Sequence, residues 1–302
     1  MRIIDAHTHG IGGYDTRTSS PDDILKIAEL HGAYGVTDIV PTIYSGSISA
    51  MREHMAAVGR AMEKQRLAVN GRRSLPISST PNAQNSKLAR IAGIHLEGPF
   101  LNPSKSGALD GASFQVPSIK TWRRLIDGFE NIIKIVTIAP ELGGSLPLIK
   151  TMSNMGIVVA LGHSEATYQE AERAFHAGAK GITHLFNAMR GLHHRAPGIA
   201  GFGLTNPDIY VELIADSFHL NIRVIELIFK VKKHNKIIIV SDSVKSTGTE
   251  MNGHGIKDNR NILQGGSMVI TQSAERLIGL GFPKKMIVAC ISHNPRAYLV
   301  PS

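Results

Sequence analysis

Short apolar runs rich in β-branched residues alternate along this chain with longer stretches whose apolar positions recur at helical spacing. The runs that predict strands are Arg2–Ala6, Val36–Val40, Ile91–His95, Ile133–Ile138, Ile157–Leu161, Gly181–Thr183, Tyr210–Ile214 and Ile237–Val240. The stretches that predict helices are Pro21–His31, Ser47–Gln65, Ser118–Phe129, Leu146–Met155, Ala166–Ala177 and Ile222–Lys233. Regular alternation of strand and helix favours a parallel sheet, and eight such units predict a closed barrel.

Length and composition agree with a barrel. The chain has 302 residues, of which 42% are hydrophobic, so it can bury one large core. We therefore expect an α/β fold, a (β/α)8 TIM barrel, as a single domain over residues 1–302. A polar stretch without periodicity, residues 70–85, predicts a surface loop between the second helix and the third strand.

Six residues of the types that bind metal ions stand where predicted strands end. They are His7, His9, Glu97, His163, His184 and Asp242. In a barrel the active site is built at these strand ends, so the six side chains are predicted to converge on a metal centre of a hydrolytic enzyme. Such a centre needs nitrogen and carboxylate ligands and one open position for water, whose pKa the ion lowers. Asp242 could be a ligand or a general base.

Each motif taken alone also has a structural explanation, because a chain with 14 histidines contains some near strand ends by chance. His7 and His9 share one face of a strand, yet they could be two partly exposed side chains. Glu97 could be a salt-bridged loop residue, and His163 or His184 a hydrogen-bonded core residue. The metal interpretation depends on the five motifs occurring together.

The net charge of +9 permits nucleic acid, an anionic membrane or a phosphorylated small molecule as a partner. Basic residues are dispersed and no Arg-rich run interleaves with aromatic residues, so nucleic-acid binding is not predicted. No apolar stretch approaches the roughly 18 residues of a membrane helix, and the chain begins at its first strand without a signal peptide. We expect a cytoplasmic protein whose single cysteine, Cys290, is buried and structural.

The motifs together resemble one family, the N-acetylglucosamine-6-phosphate deacetylases of the amidohydrolase superfamily. The resemblance extends from Ile3 to about Leu299. The matching segments are Asp5-Ala6-His7-Thr8-His9-Gly10, His95-Leu96-Glu97-Gly98-Pro99-Phe100, Gly162-His163-Ser164, Thr183-His184-Leu185-Phe186-Asn187-Ala188-Met189, His193-His194-Arg195-Ala196-Pro197-Gly198, Glu212-Leu213-Ile214-Ala215-Asp216 and Asn294-Pro295-Arg296-Ala297. The resemblance implies deacetylation of N-acetylglucosamine-6-phosphate to glucosamine-6-phosphate and acetate.

The resemblance also implies roles for individual positions. Glu97, His163 and His184 would hold the principal divalent metal, and His7 and His9 would complete a second site with Glu97 bridging. One or two ions, of Zn, Fe, Mn or Co, fit such ligands. Asp242 would act as general base towards the metal-bound water and then as general acid towards the departing amine.

Further positions would contact the sugar phosphate. They are Asn187, Ala188 and His219, with Arg195 reaching the phosphate across the interface of a possible homodimer. An arginine suits a phosphate because its guanidinium is a planar fork of donors. The alternative for Arg195 is a solvated loop cation.

The chain departs from the family pattern in several places. It lacks the residues that precede the first barrel strand in the family, so the small β-sandwich should be absent, and residues 243–266 read as a shortened active-site loop region. Ser217 and Ala196 replace the usual glycine and glutamate, and Leu109 stands where some members have a histidine. These departures leave open a related hydrolase for another small amide, or a catalytically silent barrel.

Overall fold

The computed structural model describes residues 1–71, 88–249 and 255–300. Eight parallel strands in this part of the chain pair in sequence order. They are β1 (Ile4–Thr8), β2 (Asp38–Tyr44), β3 (Ile94–Glu97), β4 (Ile133–Ile138), β5 (Val158–Leu161), β6 (Ala179–Ile182), β7 (Tyr210–Ile214) and β8 (Ile237–Val240). The predicted parallel sheet is confirmed, and a two-residue strand, Arg90–Ile91, pairs beside the start of β2.

The sheet closes where β8 meets β1. Thr8 forms a parallel bridge with Ser243, just past β8. The Asp242 N–H donates to the carbonyl of His7 at 2.9 Å, and the His9 N–H donates to the carbonyl of Ser243 at 2.7 Å. These bonds bring the ends of the first and last strands side by side, so the predicted (β/α)8 barrel is confirmed.

The helices of the described residues surround the strands. They are α1 (Pro21–Ala33), α2 (Ile48–Gly71), α3 (Ile119–Ile126), α4 (Ser145–Asn154), α5 (Tyr168–His176), α6 (Gly198–Thr205), α7 (Ile222–Val231), α8 (Ile270–Gly279), α9 (Lys284–Cys290) and α10 (His293–Tyr298). All six predicted helices are present, five of them within three residues of their predicted bounds, while α2 ends at Gly71 instead of Gln65. None of the described helices has the length and apolarity that crossing a membrane requires.

Local capping explains several helix starts. Ser20 accepts a hydrogen bond from the Asp23 N–H at 3.3 Å at the start of α1, and Asn221 caps α7 in the same way. Thr167 and Glu170 form a reciprocal capping box at the start of α5. Such caps satisfy backbone N–H groups that have no partner inside the helix.

Helix α6 was missed because its sequence, Gly-Ile-Ala-Gly-Phe-Gly-Leu-Thr, contains three glycines, which have low helix propensity. Seven of its eight residues, Gly198 to Leu204, are buried. An added Cβ at Gly203 would lie 3.1 Å from Leu185. Close packing of α6 against the barrel therefore outweighs the low helix propensity of its glycines.

Three strands end later than predicted, namely β1, β2 and β3, and β3 runs to Glu97 instead of His95. β1 runs two residues further than predicted, so His7 lies inside the strand instead of after it. β2 runs to Tyr44 and contains Pro41, which pairs with Thr8 at an irregularity in the ladder. Proline has no N–H and argues against a strand in sequence-based prediction. Here the Thr42 hydroxyl accepts the Thr8 N–H at 3.1 Å.

The amino-terminal end of the barrel is filled by apolar side chains. Ile135, Val158, Tyr210 and Ile238, which lie in the first halves of their strands, belong to one buried cluster with Tyr298 of α10. Gly181 of β6 lies directly against the Tyr298 ring, where an added Cβ would come within 2.8 Å of its Cε2. A missing side chain in a strand thus makes room for an aromatic ring from outside the sheet.

The predicted burial of Cys290 is confirmed, because its side chain has no exposed surface. The predicted surface loop over residues 70–85 lies outside the described residues, except for its first two residues, which belong to α2. Of the predicted active-site loop region, residues 243–266, the part from 250 to 254 also lies outside them.

Candidate metal centre and active site

The six candidate metal ligands converge at the carboxyl ends of the strands. They form two groups, His7 with His9 and Asp242, and Glu97 with His163 and His184, and in each group the ligand atoms lie within 4.8 Å of one another. All six side chains are buried. Segments separated by up to 235 positions along the chain are brought to one place because the barrel collects its strand ends in a ring.

Glu97 connects the two groups. Its Oε1 lies 3.2 Å from Nε2 of His163 and 3.2 Å from Nε2 of His184, and its Oε2 lies 3.1 Å from Nε2 of His9. Nε2 of His7 lies 3.3 Å from Oδ1 of Asp242. One carboxylate therefore faces both groups, which is the arrangement a bridging ligand needs.

The outward-facing nitrogens of three histidines have acceptors. Nδ1 of His163 donates to the carbonyl of Lys105 at 2.8 Å, and Nδ1 of His9 donates to the carbonyl of Thr42 at 3.1 Å. Nδ1 of His7 lies 3.4 Å from Oε2 of Glu212. Hydrogen bonds of this kind orient ligand histidines and leave the Nε2 lone pair for a metal.

These lone pairs face one another. Nε2 of His163 lies 3.1 Å from Nε2 of His184, and Nε2 of His7 lies 3.3 Å from Nε2 of His9. Two lone pairs at this distance repel unless a cation lies between them. The donor set of four imidazoles and two carboxylates therefore fits one or two divalent metal ions.

The electrostatics of the centre follow from burial. Burial lowers the pKa of His7 well below its usual value, which favours the neutral imidazole that a metal requires. Burial alone would raise the pKa of Glu97, but the imidazoles of His163, His184 and His9 beside its carboxylate hold it well below its usual range. Burial and the nearby Glu97 raise the pKa of Asp242.

Three of the six residues have left-handed backbone conformations. The φ angles are 47° at His163, 31° at His184 and 47° at Asp242, and each residue comes two positions after the end of its strand. This conformation is unfavourable for residues other than glycine, and at functional sites the surrounding structure holds it. At Asp242, the surrounding structure includes the Gly266 N–H, which donates to the Asp242 carbonyl at 2.8 Å.

Glu212 was not predicted as a site residue, although it lies in β7 next to His7. It is fully buried, and burial raises its pKa to about 8. Its Oε1 has no hydrogen-bond partner among the described residues. The signal was present in the sequence, since a glutamate inside the apolar run Tyr-Val-Glu-Leu-Ile has no reason to be there as a core residue.

A cavity of about 700 Å³ opens above the two groups. Three of the four predicted substrate contacts line it, namely Asn187, Ala188 and His219, and so does Leu109. Arg195 is not among the described residues that line this cavity, and it is exposed in the loop before α6.

His219 is held in place by Asp216. Nδ1 of His219 lies 3.0 Å from Oδ2 of Asp216, and the same oxygen accepts the N–H of Ser267 at 3.0 Å. Burial raises the pKa of Asp216, but the hydrogen bonds from His219 and Ser267 and the charge of His219 together outweigh burial and hold the pKa below its usual value. Ser217 between them has a φ of 80°, a conformation that suits the glycine usual at this position better than serine.

Two further cavity residues, Tyr44 and Arg17, were missed. The Tyr44 ring stacks on the His9 ring with 3.8 Å between centroids, and the Arg17 guanidinium lies 3.7 Å from the centroid of the Tyr44 ring. The prediction that β2 ends at Val40 left Tyr44 out of the strand end. No local signal marked Arg17, because its place depends on the packing of a distant strand.

A model of the amidohydrolase family matches residues 3–274, a range that includes all eight strands and both groups of candidate ligands. This chain belongs to the amidohydrolase family. Members of the family are hydrolases, which agrees with the donor set at the strand ends.

Curated relatives of this amidohydrolase include deacetylases of amino-sugar phosphates. It is 32% identical to the N-acetylglucosamine-6-phosphate deacetylase of Vibrio furnissii over 246 residues, which are 82% of this chain and 56% of that protein. It is 31% identical to the N-acetylgalactosamine-6-phosphate deacetylase of Escherichia coli O157:H7 over 245 residues, which are 81% of this chain and 59% of that protein. The amidohydrolase thus spans somewhat more than half the length of these relatives.

Solved structures support the same relationship. The amidohydrolase is similar to a mutant N-acetyl-D-glucosamine-6-phosphate deacetylase of Mycobacterium smegmatis in complex with N-acetyl-D-glucosamine-6-phosphate, with a TM-score of 0.85 and 26% identity over 99% of this chain and 77% of that chain. It is also similar to the N-acetylglucosamine-6-phosphate deacetylase of Thermotoga maritima, with a TM-score of 0.81 and 28% identity over 98% of this chain and 77% of that chain.

Proposed function

We propose that this amidohydrolase is a metal-dependent deacetylase of an N-acetyl amino-sugar phosphate, with N-acetylglucosamine-6-phosphate as the first candidate substrate. The observation that supports this most is the position of Glu97, which faces both groups of buried ligands below one cavity. The two relatives named above act on substrates of this class. Location in the cytoplasm and assembly as a homodimer remain predictions.

Glu97, His163 and His184 would hold the principal ion, and His7 and His9 would hold a second one. A divalent metal ion, when bound, polarises the acetamide carbonyl and acidifies water. Zn, Fe, Mn and Co all fit nitrogen and carboxylate donors. The hydrogen bonds from Nδ1 of His9 and His163 would keep the imidazoles oriented before the substrate arrives.

Asp242 would move the proton. Its Oδ1 lies within 3.5 Å of both His7 and His9, so it faces the place where water would attack the amide carbon. It would accept a proton from that water and deliver it to the amide nitrogen as the C–N bond breaks, releasing the amine and acetate. A cation beside Asp242 favours its ionised form, which the base step requires.

The cavity wall would hold the sugar. Asn187 and Ala188 line it on the β6 side, and His219 lines it on the β7 side. Asp216 orients the His219 ring through Nδ1, which leaves Nε2 for a substrate hydroxyl or phosphate oxygen. Arg195 would contribute only from a second chain.

The test combines two measurements on protein purified without chelator. Elemental analysis gives bound metal per chain, and an acetate assay gives turnover of N-acetylglucosamine-6-phosphate. Metal together with acetate release is the expected result. A panel of N-acetylgalactosamine-6-phosphate, N-acetylglucosamine and small N-acetyl amino acids then ranks other amides by kcat/KM. Metal without turnover of any sugar phosphate would assign the chain to another amide, and no metal after reconstitution would identify a silent barrel.

A further inference from the structure

The charged residues of the cavity are divided between its floor and its rim. The floor contains the two acids of the metal centre, Glu97 and Asp242. Outside the floor the described lining residues include three cations and one carboxylate. These are Arg17, Lys245 and Lys257, which we call the cationic rim, and Asp15. The rim therefore has a net positive charge that a bound anion could neutralise.

The rim is attached to the metal centre by backbone bonds. The two-stranded hairpin formed by Gly10–Ile11 and Tyr14–Asp15 follows His9 directly. The Gly13 N–H in its turn donates to the carbonyl of Lys245 at 2.8 Å. Arg17 comes two residues after the hairpin and lies on the ring of Tyr44. The segments that carry Arg17 and Lys245, which are 228 positions apart in sequence, thus meet at one side of the cavity.

Among the described residues, most side-chain N–H donors of the rim cations have no acceptor in the protein. Within residues 1–71, 88–249 and 255–300, none of the three forms an ion pair with a carboxylate of the protein, and Arg17 and Lys245 donate no side-chain hydrogen bond. Lys257 donates to Oδ1 of Asn261 at 2.9 Å. The Cζ atom of the Arg17 guanidinium lies 3.7 Å from the centroid of the Tyr44 ring, a contact that uses none of its edge N–H groups in a hydrogen bond. Such an edge matches two phosphate oxygens.

The substrate's own geometry puts its anion at the rim. In an N-acetylglucosamine phosphate, the acetamide and the phosphate leave the pyranose ring on opposite sides. A sugar whose amide lies over the metal floor therefore directs its phosphate away from the floor, towards the mouth of the cavity. Arg195 of the same chain does not line that mouth among the described residues. The cations that do line it are those of the rim.

We propose that Arg17 and Lys245, assisted by Lys257, bind the substrate phosphate within one chain. This inference rests on the proposed function for the identity of the sugar, but not for the presence of an anion site. It differs from the expectation that Arg195 supplies the phosphate contact from a partner chain. A monomer of this amidohydrolase would then discriminate phosphorylated from unphosphorylated sugars without a second copy.

The first experiment compares kcat/KM for N-acetylglucosamine-6-phosphate and N-acetylglucosamine in the metal-loaded protein. We expect Arg17→Gln and Lys245→Gln each to lower the preference for the phosphorylated sugar by about tenfold, since each removes one charge-assisted hydrogen bond. Arg17→Lys and Lys245→Arg should recover part of the preference. Lys284→Gln, at an exposed lysine of α9, is the matched control and should leave the preference unchanged. Metal per chain is measured for every variant, because Tyr44 connects Arg17 to His9.

The second experiment needs no catalysis. Calorimetry compares the binding of glucosamine-6-phosphate and glucosamine, and the phosphate should strengthen binding in the wild type but not in the Arg17→Gln/Lys245→Gln double variant. Added salt should weaken the phosphate contribution. If this holds while no amide is hydrolysed, the deacetylase proposal fails and the anion site stands. If acetate is released but only Arg195→Gln abolishes the phosphate preference, or if the wild type shows no preference in either assay, the rim is not the phosphate site.

Discussion

At the carboxyl ends of its strands the barrel buries histidines and carboxylates, whereas towards the amino ends it buries a cluster of isoleucine, valine and alanine with the rings of Tyr210 and Tyr298. The first end has left-handed backbone at His163, His184 and Asp242 and nitrogen lone pairs that face one another. At the second end, Gly181 has no side chain, and the Tyr298 ring occupies the space that a side chain would fill. One end is arranged for chemistry at a cost in stability, and the other supplies stability.

This difference predicts that substitutions at the two ends change different measured quantities. A change among the metal-centre residues should alter turnover or metal content with little loss of fold, because unfavourable contacts are removed along with favourable ones. A change in the apolar end should lower the free energy of unfolding while the remaining folded molecules keep their kcat. The predictions below test this separation.

Asp242→Asn should give the largest effect. An amide in place of the carboxylate cannot accept the proton, so kcat should fall by about 10³-fold or more. The Asn side chain keeps the shape of Asp242 and one oxygen donor, so metal per chain and the urea midpoint should stay close to those of the wild type. The measurement is acetate release with elemental analysis on the same preparation.

Loss of all metal in Asp242→Asn would contradict the assignment as a base and make Asp242 chiefly a ligand. Ser241→Ala is the neighbouring control, since Ser241 is buried at the same strand end but contributes no atom to either ligand group. It should retain most of the turnover.

The metal centre could be predicted from sequence more fully than the cavity above it. Each ligand stands at a strand end, and the strand is recognisable from a few consecutive β-branched residues. The closed barrel then brings the strand ends together, so local patterns were sufficient to group His7, Glu97, His163 and Asp242. These four ligands needed no information about distant contacts.

The rim could not be predicted in this way. Arg17 and Lys245 become neighbours through a hydrogen bond between a hairpin turn and the loop after β8, and neither segment has a periodic pattern. Tyr44 was lost because Pro41 argues against the strand that contains it. Helix α6 was not predicted because its glycines have low helix propensity, which burial against the rest of the protein overrides. In each case a non-local contact decides the structure.

Gly181→Ala tests the apolar end. The added methyl group would collide with the Tyr298 ring, and overpacking of this kind should cost about 3 kcal/mol in the free energy of unfolding. Urea denaturation measures the loss, and kcat per folded molecule should be unchanged. The double variant Gly181→Ala/Tyr298→Leu should lose less than the sum of the two single variants, since the smaller side chain makes room for the methyl group. Strict additivity would mean that the two residues do not share this space.

Glu212→Leu tests the boundary between the two ends. Glu212 is buried in β7 and its Oε2 is the only described acceptor for Nδ1 of His7, at 3.4 Å. Removing it should weaken the metal held by His7 and His9 by about 10- to 100-fold and leave the ion held with His163 and His184 in place. Metal per chain in chelator-buffered zinc measures this. Glu212→Gln keeps an acceptor oxygen and should retain most of the affinity. Equal weakening of both ions would indicate a general loss of packing instead.

Lys232→Met gives the smallest effect and lies outside both ends, in the helical layer. Lys232 is 3% exposed, and its Nζ donates to the carbonyls of Gly203 and Asn206 at the end of α6. Burial, and secondarily Lys236, lowers its pKa to about 7, whereas the unfolded chain keeps the proton up to its ordinary value of 10.5. Between these two values unfolding takes up a proton, so the contribution of Lys232 to stability rises with pH.

The difference in unfolding free energy between wild type and Lys232→Met should therefore grow from pH 7 towards pH 9, by at most about 1.4 kcal/mol per pH unit. Lys230→Met, at an exposed lysine of α7, should show a constant difference over the same range. Because the metal centre is the same in all three proteins, its own pH dependence cancels in the comparison. A difference that stays constant for Lys232→Met would mean that the buried ammonium keeps its charge through its two carbonyl partners, and that this layer, like the apolar end, contributes stability without titrating.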